Sequence, residues 1–314
     1  MLGGVHLRRS GSFTVMFLGI FKQYLFLIVA GSVAGNVSGQ QDTLDLDRRC
    51  LTYTAGGLAL GTAGSFYLLD RAWYSDHERA SLHTFDDSGE WLQMDKAGHV
   101  FSAYTLGRWG HALLDRCGTS DRTSIWLGGS LGLIFLTGIE VLDGTSAAWG
   151  FSWSDMAANA AGTGLFIGQE LLWKEQRVFM KLSAHPTDFA AQRPSLLGEG
   201  LAERILKDYN GQTIWLSANI NRLTGIDVPP WLSFAAGYGV DGLISAHPPE
   251  VLLGYFSYER TRQFYFSPDI DLTRIRTDSK FLKTVFFVLN GVKIPAPAIE
   301  FRSNGKVIGH WLYF

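Results

Sequence analysis

The chain has 314 residues and a formal net charge of −2 at pH 7, which leaves no basic footprint and argues against a nucleic-acid partner. Its length allows two domains and a sizeable core. Charged residues, at 18%, fall below the ~25% of ordinary soluble domains. With 36 Gly, 10 Trp and 21 Phe the composition suits a membrane-associated protein, yet a mean hydropathy of +0.07 is too low for a chain lying wholly in membrane.

Residues 1–39 read as a signal peptide. His6, Arg8, Arg9 and Lys22 supply the positive flank, Tyr24 to Ala34 the apolar core, and Val37-Ser38-Gly39 the small residues before cleavage at Gln40. Met16 is an alternative start, and an uncleaved anchor helix is the competing reading. No cysteine follows the apolar core at lipobox distance, so a diacyl anchor at this end is not expected. Cys50 and Cys117 are too few for a disulfide scaffold, and whether they pair is open at this point.

Residues 40–174 predict a membrane-associated helical bundle of four segments: Leu51–Leu69, Ala97–Leu114, Ser124–Val141 and Phe151–Trp173. Spanning takes ~20 apolar residues, and only the first and third segments approach that without a charge. Closely spaced small residues, such as Gly56, Gly57, Gly61 and Gly64, would let helices approach tightly. A soluble bundle packed through small residues is the alternative. The Asp-x-Ala-x-His/Asn pairs that open the second and fourth helices hint at a duplicated hairpin.

Residues 175–209 read as a polar linker with an amphipathic helix at Leu196–Asp208. From 210 to 314 the pattern turns strand-like between turn residues. The candidates are Ile214–Ile220, Trp231–Tyr238, Val251–Tyr258, Gln263–Phe266, Ile270–Ile275 and Val307–Phe314, with a short helix over Ser279–Leu289. The aromatic ending, Phe314 after Trp311 and Tyr313, resembles that of outer-membrane barrels. Six short strands are fewer than the eight of the smallest common barrels. The expected fold class is therefore α+β: a four-helix membrane-associated bundle followed by a smaller antiparallel β-rich domain.

One stretch stands out, Asp95-Lys96-Ala97-Gly98-His99, which puts Asp95 and His99 on one helical face. Asp155-Met156-Ala157-Ala158-Asn159 repeats the arrangement with Asn for His, and Glu140 and Asp143 close the apolar run between them. Up-and-down helices with short connections would bring Asp95, Lys96, His99, Glu140, Asp143, Asp155 and Asn159 to one rim. Three readings stay open there. Asp at a helix start can be a cap, converging ionisable groups can form a catalytic or ligand site, and one His with carboxylates is thin for a metal. The acidic residues Asp86, Asp87 and Glu90 lack the spacing of a calcium loop and read as a solvated turn. Neither a phosphate-binding loop nor a Gly-x-Ser-x-Gly elbow is present, and no cofactor is expected.

Arg48, Arg49, Arg116, Arg122, Lys174, Arg177 and Lys181 fall at the opposite end. The positive-inside rule would make that end cytoplasmic, whereas a cleaved signal places Arg48 and Arg49 outside. An outer-membrane or periplasmic location removes the conflict.

Asp95-Lys96-Ala97-Gly98-His99, Glu140, Asp143, Gly150-Phe151-Ser152-Trp153-Ser154-Asp155, Ala157 and Gly162 together resemble the YfiM-like family of predicted periplasmic lipoproteins, over roughly Trp73 to Glu170. The likeness to longer, Bacteroidetes-type members continues through Lys207-Asp208-Tyr209-Asn210-Gly211-Gln212 and Lys293-Ile294-Pro295-Ala296-Pro297. The absent lipobox departs from the lipoprotein label. More distantly, the order of Asp95, Lys96, His99, Glu140, Asp155, Asn159 and Gly162 is similar to VanZ-like membrane proteins, linked to glycopeptide-antibiotic tolerance; the Gln usual after the Glu is not at Asp143. Neither resemblance carries a reaction. The expectation is an exported cell-envelope protein serving as a structural or docking component, with membrane lipid or envelope proteins as partners. The alternative is an enzyme-like or ligand-binding site that uses the rim on a lipid or cell-wall headgroup.

Overall fold

The computed structural model describes residues 46–75, 77–248 and 258–314. The expected signal peptide and its cleavage site lie outside the described residues, as does the expected strand Val251–Tyr258 up to its last residue. The described residues form a mixed structure of helices and one antiparallel sheet, an α+β fold.

All four apolar segments are helical: α1 (Arg48–Leu69), α2 (Met94–Arg116), α3 (Leu131–Gly144) and α4 (Trp153–Trp173). α3 ends a longer rod, Asp121–Gly144, which opens through a wider π-type turn at Ser124–Gly128. Among the described residues this rod is the one helix long and apolar enough to cross a membrane, and 44% of its apolar window is buried inside the protein. A disulfide between Cys50 and Cys117 ties the start of α1 to the end of α2.

α2 is the central helix, buried at every residue from Phe101 to Gly110. Two glycine contacts let its neighbours reach it. A Cβ on Gly162 of α4 would lie 2.2 Å from the Val100 carbonyl oxygen, and one on Gly107 would lie 2.4 Å from that of Gly129. Backbones come this close only where no side chain intervenes.

The sheet runs β1 (Val178–Ala184), β2 (Gln212–Asn219), β3 (Leu232–Asp241), β4 (Thr261–Ile270), β5 (Ala296–Arg302) and β6 (Val307–Tyr313), each strand paired with the next. Three expectations change. The polar linker expected over 175–209 contains β1, besides the short helix α5 (Leu201–Lys207). Ile270–Ile275 is no strand: β4 ends at Ile270, and Leu272–Arg274 turns under the Asp271 carboxylate, which accepts from the Thr273 amide at 3.0 Å. β5 was hidden by Pro295 and Pro297, which suppress strand signals. The expected C-terminal helix is α6 (Lys280–Leu289).

The physical reason for missing β1 holds for the whole sheet, whose polarity is inverted. The sheet curls until the outer edge of β1 meets the stretch before β5, where the Leu182 amide donates to Gly291 O and the Lys293 amide to Leu182 O, both at 2.9 Å. The concave side so enclosed sets charged and polar side chains around a small buried cluster of Trp215, Ala235, Tyr265 and Ala298. Lys181, fully buried, lies 2.7 Å from Asp269, which also takes the Ser217 hydroxyl at 2.6 Å. Gln263 donates to Glu300 at 2.9 Å, and His310 lies 2.7 Å from its other oxygen. Lys181 therefore does not join the basic end of the bundle, because Asp269 draws it into the sheet.

Part of the convex side packs on the helices. Met180, Ile214 and Val240 share one buried cluster with Phe101, Tyr104 and Phe166, so sheet and helices have a common core.

Candidate functional site

Two helix starts and one helix end build the site. The loop 78–88 lies against the loop 144–152 through backbone bonds, including Phe85 N to Phe151 O at 3.0 Å and Phe151 N to His83 O at 2.9 Å. This brings Asp87 to the start of α4, where its carboxylate accepts from Ser152 Oγ at 2.5 Å and Ser154 Oγ at 2.7 Å. Before α2, Trp91, Leu92 and Gln93 form a left-handed turn with φ of 48°, 51° and 63°. Such backbone is disfavoured by roughly 1–2 kcal/mol per non-glycine residue. Contacts with the sheet and the loop after β3 hold it: Trp91 N donates to Ala246 O at 2.9 Å, Tyr238 OH to Leu92 O, and Arg262 to Gln93 Oε1 at 2.5 Å. The turn sets the direction in which Asp95, Lys96 and His99 leave the chain.

Lys96 is the hub. Its Nζ lies 2.7 Å from Asp87, 2.8 Å from Asp155 and 3.1 Å from Asp95. Burial opposes its charge, but Asp95, Asp155 and Asp87 outweigh burial and hold its pKa well above the ordinary lysine value. Beneath it sits His99. Its Nδ1 is 2.9 Å from Asn159 Oδ1, so Nδ1 carries a proton and Nε2 points inward. Nε2 faces Asp155 at 3.7 Å and Glu140 at 4.0 Å. Glu140 accepts from the Ser152 amide at 3.1 Å.

The electrostatics interlock. Burial would strip His99 of its proton, but Asp155, Asp95 and Glu140 outweigh it and hold the pKa up at about 9. Burial raises Glu140 to about 9 and Asp155 to about 7, with His99 pulling both back and neighbouring carboxylates adding to the rise. Asp87 moves the other way: burial works against its charge, yet hydrogen bonds from Asp155, Lys96 and Ser152 bring it down to about 2. Chemically, this is a cationic imidazole beside one carboxyl group, Asp155, that changes protonation near neutrality and a second, Glu140, that keeps its proton to higher pH.

The structure thus gathers Asp95, Lys96, His99, Glu140, Asp155 and Asn159. Asp143 sits one turn beyond Glu140, where the Tyr74 hydroxyl donates to it at 2.6 Å. Neither aspartate at a helix start caps the backbone, although both stand in the first turn, where the helix dipole favours their charge. Ser152 caps α4, accepting from the Asp155 amide at 3.1 Å, and α2 has no side-chain cap. Both carboxylates turn to side chains instead, Asp95 also accepting from Tyr209 OH at 2.9 Å.

Asp87, expected in a solvated turn, belongs to the cluster, as do Ser152, Ser154 and Tyr209. Their signal was the acidic run beside Trp91 and the Ser-x-Ser-Asp spacing, neither of which names a partner. Ligand atoms of Asp95, His99 and Asp155 lie within 4.8 Å of one another, close enough for a metal ion. Lys96 Nζ already stands against two of the three, so a cation there would have to displace it. The Nδ2 of Asn159, fully buried, has no acceptor among the described residues.

Residues 84–168 match a family described as predicted periplasmic lipoprotein (DUF2279). The match spans well under half of the 314 residues but includes every residue of the cluster except Tyr209. It supports an exported, cell-envelope location and names no role. No curated protein and no solved structure matches the chain.

Proposed function

We propose that this is a membrane-associated envelope protein whose helices carry a proton-handling site for a polar headgroup of an envelope lipid or cell-wall component. The observation that carries this reading is the placement of His99 Nε2 between two buried acids, 3.7 Å from Asp155 and 4.0 Å from Glu140. A ring fixed through Nδ1, with Nε2 facing two acids, is arranged to pass a proton to and from them. The buried, acceptor-free Nδ2 of Asn159 and the left-handed turn before α2 support it, since unsatisfied polar groups and backbone strain gather at working sites. In this reading His99 and Asp155 exchange protons, Glu140 donates, and Lys96 fixes the charge of the rim. Apolar residues exposed on the rod, Trp126, Leu127, Ile134 and Val141, would rest against lipid. The similarity of the Asp-Lys-x-x-His, Glu, Asp-x-x-x-Asn order to VanZ-like membrane proteins agrees with that placement.

A second reading has its own observation. Asp95 binds Tyr209, on the segment leading into β2, so the cluster could serve as a clasp docking the sheet on the helices. His99→Ala and Asp155→Asn separate the two. A site predicts loss of the ability to complement a deletion strain with the melting temperature unchanged or raised, because working polar groups are often held against stability. A clasp predicts that both fall together, by roughly 1–3 kcal/mol for partners left unsatisfied.

A further inference from the structure

We propose that the convex face of the sheet is a lipid-contact surface, seated against the acyl chains of an envelope membrane. The inference rests on the envelope reading for the source of its lipid and is independent of the His99 cluster.

The register carries the argument. One row across five strands reads Leu216, Ala236, Phe266, Ile299 and Gly309. A second reads Tyr238, Phe264, Phe301 and Val307, continuing from Ile214, which is buried against the helices. A third, shorter row is Ala218, Phe234 and Pro268. The only polar atom in these three rows is the Tyr238 hydroxyl, and it is turned to the Leu92 carbonyl. Outward aromatics stack on one another, Phe234 on Phe266 with centroids 5.4 Å apart, and Phe264 and Phe266 are 48% and 50% exposed.

The reverse side decides what covers them. A water-soluble sheet with one open face turns its apolar side to the core and its polar side out. Here the charges of Lys181, Asp269, Lys293 and Glu300 are shut inside the curl, while phenylalanines stand outside. That inversion is the pattern of strands whose outer solvent is hydrocarbon. Much of the backbone fits the same solvent, since β2 and β3 are paired on both sides and β4 and β5 pair with each other over residues 263–266 and 299–302. The same polarity recurs away from the rows, at Ile226 in the β2–β3 connection and at Trp311, which is 93% exposed. A fluid partner covers such differently placed surfaces together.

The test is flotation of the full-length protein with vesicles of phosphatidylethanolamine and phosphatidylglycerol. Wild type is expected to float. Phe264→Asp/Phe266→Asp should cut the bound fraction roughly tenfold or more, because two buried rings are lost and two charges meet hydrocarbon. Leu127→Asp/Ile134→Asp on the rod separates the two membrane claims: flotation that depends on the rod alone overturns the sheet proposal and leaves membrane association standing. Near-ultraviolet circular dichroism checks folding of each variant. Should the sheet variant not fold, Trp311→Phe reads lipid contact at the outermost strand, β6, with a drop in fluorescence quenching by brominated acyl chains expected. Wild type that stays out of the lipid layer, a sheet variant that floats as before, unchanged quenching in Trp311→Phe, or a dimer in water that protects these strands would each overturn the proposal.

Discussion

His99 shows how the smallest scale sets the behaviour of the site. Its proton is held to about 9 against an ordinary 6.5, so the stabilisation it gives is complete below about 6.5 and is lost as pH rises through about 9. Glu140 and Asp155 act in the same sense. Raised to about 9 and about 7, each holds its proton more tightly when folded, and stability falls as pH climbs from the ordinary carboxylate range through those values. Asp87, lowered to about 2, opposes them only in acid, below its ordinary 3.8. Thermal melts should therefore drop between about pH 6 and about pH 9, and Glu140→Gln should make the drop shallower. A wild-type melting temperature that is flat or rises over this interval would contradict the assignment. Lys96 gives a second prediction at this scale. Lys96→Ala leaves Asp87, Asp95 and Asp155 without their shared cation, and removing one partner of a buried ion pair costs about 3–5 kcal/mol. Urea unfolding at neutral pH measures it, and a loss below about 1 kcal/mol would show that water screens the three acids.

At the scale of elements, the helices were legible and the sheet was only partly so. Apolar runs bounded by charges marked α1, α2, α4 and the rod Asp121–Gly144 within a few residues, because burying a helix in this core needs that pattern. The strands were read for apolar residues turned inward, and this sheet puts Lys181, Gln263 and Glu300 there instead. β1 therefore looked like linker, and β4 looked like two pieces. The cluster was half legible: chain order placed Asp95, His99, Glu140 and Asp155 at one rim, but Asp87 and Tyr209 reach it only through loop and sheet contacts. What sequence could not weigh is the closeness of the helices. Gly162→Ala tests it, because the new Cβ would lie 2.2 Å from the Val100 carbonyl and must push α4 off α2. The expected loss is about 1–3 kcal/mol in chemical denaturation, with the His99 titration moving down as Asp155 withdraws. An unchanged titration would mean that Asp155 is not what holds the proton.

Over the whole molecule, the disulfide, the shared core and the family match point the same way. Cys50 and Cys117 are 67 positions apart, and a bridge closing a loop of that length contributes roughly 2–4 kcal/mol. Disulfides persist in oxidising compartments, which agrees with the exported, envelope location that the match over 84–168 supports. Dithiothreitol should lower the unfolding midpoint of the native protein, and a midpoint unmoved by reductant would show the bridge to be idle. The core runs from α2 and α4 into β1, β2 and β3, so the site and the sheet share one packed interior. The same packing holds His99 Nε2 between its two acids, 3.7 Å from Asp155 and 4.0 Å from Glu140. The most direct test of the proton-handling site is the titration of the His99 ring by nuclear magnetic resonance, in wild type and in Asp155→Asn. A ring that keeps its proton at neutral pH and releases it near 9, with the transition shifted at least one unit lower in Asp155→Asn, is the predicted result. A ring that titrates near 6.5 in both proteins would contradict it.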